Sequence, residues 1–354
     1  MVAPILEKFG LNIEDYSVLQ FDSGLINKTW KVSTLNKSYI LQRINHHVFK
    51  RPEDIDRNLF GLKKYLNVHY PDYLFVAPVA ASDGTTLIQT SEGYFRLFDF
   101  VDGSETINYV STCREAYEAA RQFGKFSRLL SGFNADELAY TLPDFHNLTL
   151  RFEQFTKALA HASEGRIEKA LKAISFIQAN EDIVQTYNKI LADLSIPHRV
   201  VHHDTKISNV LFDKNNQSLC VIDLDTVMPG YYISDVGDMM RTYLSQANEE
   251  ETDLGKIEIR KDFFQAIYKG YLSEMGIALN EKEKQLFIYS GEFIIYMQAI
   301  RFLTDYLNND IYYGAKYPDH NLNRALNQIT LLEKYMDAEN DFKVIITQSQ
   351  SEPA

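Results

Sequence analysis

The feature that most constrains the fold is a change of sequence pattern near residue 105. Before this point, short runs rich in β-branched and aromatic residues alternate with turn signals. These runs predict five strands, over residues 16–21, 29–33, 39–44, 86–89 and 94–100. After it, apolar residues recur mainly at helical spacing. The order predicts an α+β fold in which a small β-rich unit precedes a larger, mostly helical one.

One helix is predicted inside the β-rich part. Pro52 suits a first helical turn, and apolar residues follow at helical spacing from Ile55 to Leu66. A short segment, residues 98–103, then joins the two units. We therefore predict two domains, residues 1–103 and 104–354, with a ligand site in the cleft between them.

Charge and composition narrow the class of partner. The 354 residues carry a net charge of −12, which disfavours a broad electrostatic grip on nucleic acid or anionic lipid. The most apolar stretch, residues 287–303, is interrupted by Glu292, Gln298 and Arg301 and is too short and polar to span a bilayer. The first ten residues lack a signal-peptide pattern, and two cysteines exclude a disulfide framework. We expect a cytoplasmic protein that binds neither nucleic acid nor membranes.

The residues best suited to chemistry lie between residues 200 and 241. A short apolar strand leads into His202, Asp204 and Asn209, and a second strand ends on Asp223. A strand end holds a carboxylate rigidly at the edge of a cleft. Carboxylate and amide oxygens suit Mg²⁺, which takes few protein ligands and shares its shell with phosphate oxygens and water. The stretch therefore offers a magnesium site or a general base.

The pattern HxDxxxxN, followed by an apolar run and Asp, resembles the catalytic core of the aminoglycoside phosphotransferase/choline kinase superfamily. The resemblance implies a protein-kinase-like fold of two lobes and phosphoryl transfer from ATP with Mg²⁺. It implies that Asp204 accepts the proton of the acceptor hydroxyl. It also implies that Asn209 and Asp223 bind Mg²⁺. His202 would brace the catalytic loop, and Asp235 would support it from below.

The same resemblance places ATP in the β-rich half. The turn between the first two strands would cover the phosphates with backbone N–H groups, although it has one glycine where protein kinases have GxGxxG. Its candidate residues are Ser23, Gly24, Asn27 and Thr29. A plain hairpin has the same pattern. The segment that resembles the adenine-binding hinge comprises Phe98, Asp99, Phe100 and Val101.

A basic residue is expected on the third predicted strand. Arg43 stands where relatives often carry Lys, and its guanidinium can also donate to phosphate. Gln42 is the alternative in the other register. The acidic partner on the following helix would be Glu53, Asp54 or Asp56, and the sequence does not choose among them.

Three segments resemble the N-acetylhexosamine 1-kinases. They are GLINKTW with YILQRIN, HHDTKISNVLFD with VIDLDTVMPG, and IRFLTDYLNNDIYY. The resemblance extends from about residue 20 to residue 335. It implies that the γ-phosphate of ATP is transferred to the anomeric hydroxyl of N-acetylglucosamine or N-acetylgalactosamine.

A sugar site needs a few directed polar groups in an aromatic wall. Arg301 and Asp305 lie four residues apart, so they can share the hydroxyls or acetamido oxygen of a sugar, or pair with each other. Asp225 can face the acceptor or serve as a second metal ligand. Tyr317 and two nearby tyrosines can stack on the pyranose ring.

Two other functions fit the same pattern. One is a kinase of this superfamily for another sugar, choline or an amino alcohol; a choline site would need an aromatic and acidic cage. The other is a catalytically silent nucleotide-binding module, which the presence of Asp204, Asn209 and Asp223 disfavours. The sequence leaves the preferred epimer and the oligomeric state open.

Overall fold

The computed structural model describes residues 2–11, 16–21 and 26–351. A five-stranded antiparallel sheet, in the order β1-β2-β3-β5-β4, forms the N-terminal lobe. The strands are β1 (Tyr16–Phe21), β2 (Lys28–Thr34), β3 (Ser38–Ile44), β4 (Ile88–Thr90) and β5 (Gly93–Asp99). The helices of this lobe are α1 (Ala3–Lys8) and α2 (Pro52–His69). All five strands and the helix at Pro52 are where the sequence pattern predicts them, to within two residues.

Alternation along β3 and β5 decides which side chains reach the interior of the cleft. Leu41 and Leu97 are cross-strand partners, and both are fully buried against α1. Successive side chains of a strand point to opposite faces of the sheet. Gln42 and Arg96, the next pair along, therefore lie on the other face, which covers the cleft.

The C-terminal lobe is mostly helical. Its helices are α3 (Cys113–Leu129), α4 (Leu148–His161), α5 (Glu164–Ala179), α6 (Asp182–Ala192), α7 (Ile233–Tyr243), α8 (Lys261–Met275), α9 (Glu281–Gln285), α10 (Phe287–Leu307), α11 (His320–Asp337) and α12 (Glu339–Ser351). α10 is buried on nearly every side and packs against α4, α7 and α11. No helix in the described part of the chain is long and apolar enough to cross a membrane.

A close approach between α7 and α10 fixes the base of the cleft. A Cβ atom added to Gly237 of α7 would lie 2.1 Å from the carbonyl oxygen of Ser290 on α10. Only glycine therefore allows the two backbones to approach this closely. The contact anchors α7 to the central helix of the core. The first turns of α7 face the loop of residues 202–209, which we call the catalytic loop after the role that the sequence resemblance implies.

Two small sheets carry the polar loops of the C-terminal lobe. β7 (Arg199–Val201) pairs with β10 (Met228–Gly230), and β8 (Val210–Phe212) lies between β6 (Glu105–Thr106) and β9 (Ser218–Val221). The sequence pattern does not predict β10, because Pro229 lacks an N–H group and argues against a strand. The strand forms because a two-stranded sheet has only edge strands, where proline is tolerated.

Candidate active site

A cleft of about 660 Å³ lies between the sheet and the loops that follow β7 and β9. We call the sheet face above it the roof; it carries Thr29, Gln42 and Arg96. We call the two loops below it the floor; they carry Asn209 and Asp223. A smaller cavity of about 60 Å³ shares part of this lining and is also lined by Asp204. The two cavities meet where the floor carries its carboxylates.

The connection between the lobes forms one end of the larger cavity. All four predicted hinge residues line it: Phe98, Asp99, Phe100 and Val101. Ile40 and Leu211 add apolar surface from above and below. A flat, apolar group such as an aromatic base fits between such walls.

Two buried carboxylates of α7 hold the catalytic loop from below. Asp235 accepts hydrogen bonds from the backbone N–H groups of His202 (3.1 Å) and His203 (2.8 Å). Asp238, one helical turn later, accepts one from the N–H of Thr205 (2.8 Å). These bonds hold the backbone in place where His203 has the left-handed φ of 65°. Asp235 thus lies below the loop, as predicted, and holds it through two backbone hydrogen bonds.

His202 is fully buried and does not line either cavity. Its Nε2 lies 3.0 Å from the carbonyl oxygen of Ile222, and its ring packs edge-on against Phe123. Burial lowers the pKa of His202, so its ring is neutral at pH 7. The ring ties the catalytic loop to the loop that carries Asp223. His202 therefore positions other groups and cannot touch a ligand in the cleft.

Asp204 presents its carboxylate to the smaller cavity. Its Oδ2 accepts hydrogen bonds from Nζ of Lys206 (2.9 Å) and Nδ2 of Asn209 (3.0 Å). Burial alone would raise the pKa of Asp204, but the charge of Lys206 and these hydrogen bonds outweigh it and lower the pKa. The carboxylate is therefore ionised at neutral pH and oriented, as a proton acceptor must be.

Asp223 and Asn209 offer the oxygen ligands of the floor. Asp223 has a left-handed φ of 60°, and its side chain opens to the cleft. Restricted access of water, with the nearby carboxylates of Asp225 and Asp204, raises the pKa of Asp223 to about 7. The amide nitrogen of Asn209 is committed to Asp204, which leaves its amide oxygen available as a ligand.

These donors fit a divalent cation with a strong preference for oxygen. A cation here would relieve the repulsion between the carboxylates of the floor. Within residues 2–11, 16–21 and 26–351, no group of three or more His, Cys, Asp or Glu side chains is arranged to hold a metal ion. Mg²⁺ needs fewer protein ligands than this, because it keeps water and phosphate oxygens in its shell.

Asp225 joins the two lobes. Its Oδ2 accepts a hydrogen bond from Nδ2 of Asn27 (2.7 Å), and its Oδ1 lies 2.5 Å from Nη2 of Arg96. Arg96 in turn donates to Oε1 of Gln42 through Nε (3.2 Å) and Nη2 (2.9 Å). Sequence reasoning missed Arg96. The available signal was a basic residue between apolar neighbours on a predicted strand.

The structure separates the predicted nucleotide-binding residues into three groups. Thr29 and Asn27 line the smaller cavity, and Thr29 also lines the larger one. Ser23 and Gly24 lie outside the described residues. Arg43 is not brought to the cleft: it lies on the opposite face of β3, beside Gly93, because the register turns Gln42 inward.

All three acidic candidates on α2 have other partners. Glu53 forms a hydrogen bond with Tyr94. Asp54 pairs with Arg51 and Arg57, each at 3.0 Å. Asp56 accepts a hydrogen bond from Thr86. An acidic residue does pair with Arg96 of the roof, but it is Asp225 of the other lobe.

Of the predicted sugar-binding residues, Asp225 lines both cavities, whereas Arg301, Asp305 and Tyr317 line neither. Asp305 is buried and accepts hydrogen bonds from the N–H groups of Tyr312 (2.7 Å) and Tyr313 (2.9 Å). Both of its oxygens are thereby used to shape the turn after α10, so it neither pairs with Arg301 nor faces a ligand. Tyr317 is partly exposed, with its ring against His320.

Arg301 instead lies between aromatic rings. Its guanidinium is 5.6 Å from the ring centre of Phe145 and 5.7 Å from that of Tyr313. Phe145 stacks on His146, whose ring lies 5.2 Å from that of His203 in the catalytic loop. A continuous line of side chains, which we call the basic wall, thus runs from the catalytic loop to Arg301.

Residues 17–265 match the model of the phosphotransferase enzyme family. The chain belongs to this family. Solved structures of the same fold include an aminoglycoside phosphotransferase from Alicyclobacillus acidocaldarius, with 13% identity and a TM-score of 0.66 over 98% of this chain and 96% of that one. The predicted class of small-molecule phosphotransferase is confirmed.

Two further structures resemble this phosphotransferase. A microcompartment-associated aminopropanol kinase has 15% identity and a TM-score of 0.66, over 96% of this chain and 97% of the other. A spectinomycin phosphotransferase in complex with ADP and spectinomycin has 13% identity and a TM-score of 0.60, with the same coverage. At such identities the likeness concerns the fold, and it confirms the predicted protein-kinase-like arrangement of two lobes.

Proposed function

We propose that this phosphotransferase is an N-acetylhexosamine 1-kinase that uses ATP and Mg²⁺. The observation that supports the transfer reaction is the convergence of Asp204, Asn209 and Asp223 where the two cavities meet. The choice of acceptor rests on the three sequence segments that resemble this class of kinase.

ATP would occupy the larger cavity, whose volume suits a ligand of this size. Adenine would lie between the hinge residues 98–101 and Leu211, and the phosphates would extend toward Asp223. The turn that contains Asn27 and Thr29 would cover them. The spectinomycin phosphotransferase of the same fold was solved with ADP bound, which supports a nucleotide in this cleft.

The transfer step depends mainly on position and charge. Asp204 would accept the proton of the acceptor hydroxyl at its carboxylate, held by Lys206 and Asn209. Lys206 lines both cavities and adds positive charge beside the path of the phosphoryl group. Mg²⁺, held by Asn209 and Asp223, would neutralise negative charge on the phosphate oxygens.

The acceptor would lie on the side of Asp204 that leads to the basic wall. Arg301 would donate to a hydroxyl or acetamido oxygen, and Phe145 would pack against the ring. Asp305 would act indirectly, by shaping the turn that carries Tyr313. A cytoplasmic location would suit both the use of ATP and the two free cysteines.

An amino-alcohol kinase is the second candidate, because one similar structure is an aminopropanol kinase. Two arginines argue against a cationic acceptor: Arg301 of the basic wall and Arg151, which lies close enough to repel it. Arg301 donates to Gln298, and Arg151 donates to Gln154 and to the backbone of Asp144. In the described part of the chain neither arginine forms an ion pair with a carboxylate, so a bound cation would meet repulsion.

The function is tested by ³¹P NMR of reactions with Mg·ATP and one acceptor at a time. The acceptors are N-acetylglucosamine, N-acetylgalactosamine, glucose, choline, 1-amino-2-propanol and spectinomycin. We expect ADP and a new anomeric phosphate resonance with the N-acetylhexosamines only. Their methyl glycosides, in which the anomeric oxygen is blocked, are the matched controls and should not react. Transfer only to an amino alcohol or to spectinomycin would contradict the proposed acceptor. It would still support a kinase that uses ATP.

A further inference from the structure

The roof carries two cations that line the larger cavity, and they lie at different ends of it. Nζ of Lys31 is 3.7 Å from the centre of the Phe100 ring, at the hinge. Arg96 lies beside Asp225, two residues from Asp223. Of the described cations on the sheet face, Arg96 is therefore the one at the end where phosphates would approach the metal-binding carboxylate.

The guanidinium of Arg96 is held in place but incompletely bonded. Its side chain is 3% exposed, and two of its nitrogens donate to Gln42. The third nitrogen, Nη1, is buried without a hydrogen-bond partner. A buried donor without an acceptor is unfavourable, so this orientation leaves one donor ready for a ligand.

The contact with Asp225 is an ion pair without hydrogen-bond geometry. Oδ1 of Asp225 lies 2.5 Å from Nη2 of Arg96, yet it accepts no hydrogen bond. Oδ2 of the same carboxylate is held separately by Asn27. The carboxylate can therefore leave Arg96 while keeping its bond to Asn27.

We infer that Arg96 is the phosphate-binding residue of the roof, and that Asp225 serves as its counter-ion until a nucleotide binds. The inference rests on the proposed function and adds a residue to it. Two phosphate oxygens would take the donors Nη1 and Nη2, in the fork geometry that suits arginine. The exchange replaces one anionic partner by another, so Arg96 remains paired throughout.

The experiment compares the binding of adenosine and of metal-free ADP by isothermal titration calorimetry. The variants are Arg96→Gln and, as the matched control, Arg43→Gln, which changes the same type of side chain on the other face of the sheet. We expect Arg96→Gln to weaken ADP binding at least tenfold and to leave adenosine binding within twofold. Arg43→Gln should leave both unchanged.

Two results would overturn the inference. Unchanged ADP binding by Arg96→Gln would exclude a phosphate contact. An equal loss of adenosine and ADP would reduce Arg96 to a purely structural residue. If Arg96→Gln fails to fold, Arg96→Lys replaces it; this variant keeps the charge without the fork and should bind ADP with intermediate affinity. Wild-type affinity for ADP in that variant would likewise contradict fork-type binding.

The exchange with Asp225 has its own test. Asp225→Asn should tighten metal-free ADP binding, and the gain should disappear in the Arg96→Gln background. A gain that persists there would reflect general repulsion and contradict the exchange. Failure of the proposed function is distinguishable, because then the wild-type protein itself would bind no ADP or transfer no phosphate.

Discussion

The floor and the roof of the cleft are built in different ways. The floor consists of loops whose backbone N–H groups are bound by buried carboxylates of α7, such as Asp235. The roof consists of strands, and the register of the sheet decides that Gln42 and Arg96 face inward. The position of the loop side chains is set by a few hydrogen bonds between residues of one stretch of about forty residues. Which side chains of the sheet face the cleft is set by the register between strands that are far apart in the sequence.

The largest effect is expected at Asp204, the proposed proton acceptor of the floor. Asp204→Asn keeps the shape of the side chain but cannot accept the proton, so we expect kcat to fall by about 10²–10⁴-fold. ATP binding should change less than about twofold, because Asp204 is not placed as a nucleotide ligand. Steady-state kinetics with a titration of ATP measure both. A kcat near that of the wild type would contradict the assignment of the base.

The next largest effect is expected at Asp235, whose hydrogen bonds hold the loop of the floor, and it concerns the stability of the protein. Asp235→Asn loses one of the two backbone hydrogen bonds and places an amide donor against an N–H group, so we expect a loss of about 3 kcal/mol in the free energy of unfolding. Asp253→Asn is the control, since Asp253 accepts a backbone N–H in an exposed turn. Urea denaturation measures both variants. Equal, small losses of unfolding free energy in the two variants would mean that the buried hydrogen bonds of Asp235 stabilise the protein no more than the exposed one of Asp253.

A smaller effect is expected at the junction of roof and floor. Asn27→Ala removes the hydrogen bond to Asp225 and the one that Asn27 accepts from the N–H of Asn45. We expect the KM for ATP to rise about fivefold with little change in kcat, because the poorer placement of the turn should cost the binding of ATP about 1 kcal/mol, which corresponds to that factor. Asn36→Ala, in an exposed turn of the same sheet, should leave both constants unchanged. A fall in kcat alone would place Asn27 on the acceptor side.

The smallest effect comes from a partly buried carboxylate that organises no loop. Partial burial of Glu292 in α10 raises its pKa to about 7. The folded state therefore holds the proton more tightly than the unfolded state, and stability falls as pH rises from about 4.5 to about 7. At pH 8, Glu292→Gln should be about 1 kcal/mol more stable than the wild type, and the difference should shrink at pH 5.

Thermal unfolding at both pH values checks this, with the exposed Glu333→Gln as the control. The comparison with Asp235 is the point of the experiment. Burial raises the pKa of Asp235 to about 7 as well, so the two positions differ chiefly in hydrogen bonding. Asp235→Asn loses an acceptor for a backbone N–H group and should destabilise the protein, whereas Glu292→Gln loses no such bond and should stabilise it. The same sign at both positions would show that burial, not hydrogen bonding, decides the outcome.

The sequence predicts the floor well because its residues belong to one short segment. Asp204, Asn209 and Asp223 lie within twenty residues, and the strands between them bring their side chains together. Their chemical roles and the domain boundary at residue 103 stay predictions. The two-lobe fold follows from the change of pattern near residue 105 and is confirmed.

The roof and the basic wall were harder to predict, for physical reasons. Recognising that Arg96 faces the cleft and Arg43 does not requires the register of β3 against β5, which the pattern of a single strand does not contain. The spacing of Asp305 and Arg301 suits an ion pair, but in the structure the carboxylate of Asp305 accepts hydrogen bonds from two backbone N–H groups of the following turn instead. Such competition depends on where the chain reverses after α10, and residue type alone does not reveal it.

The contact of Gly237 with Ser290 ties the base and the acceptor side to one helix. α10 supports α7 near its beginning and carries Arg301 and Asp305 toward its end. Mutational tolerance should therefore be uneven along this helix. We expect substitutions in its first half to disturb phosphoryl transfer whatever the acceptor, whereas the exposed side chains of Ile311 and Tyr312, in the turn after residue 307, should tolerate more change. Libraries aimed at new acceptors should begin there.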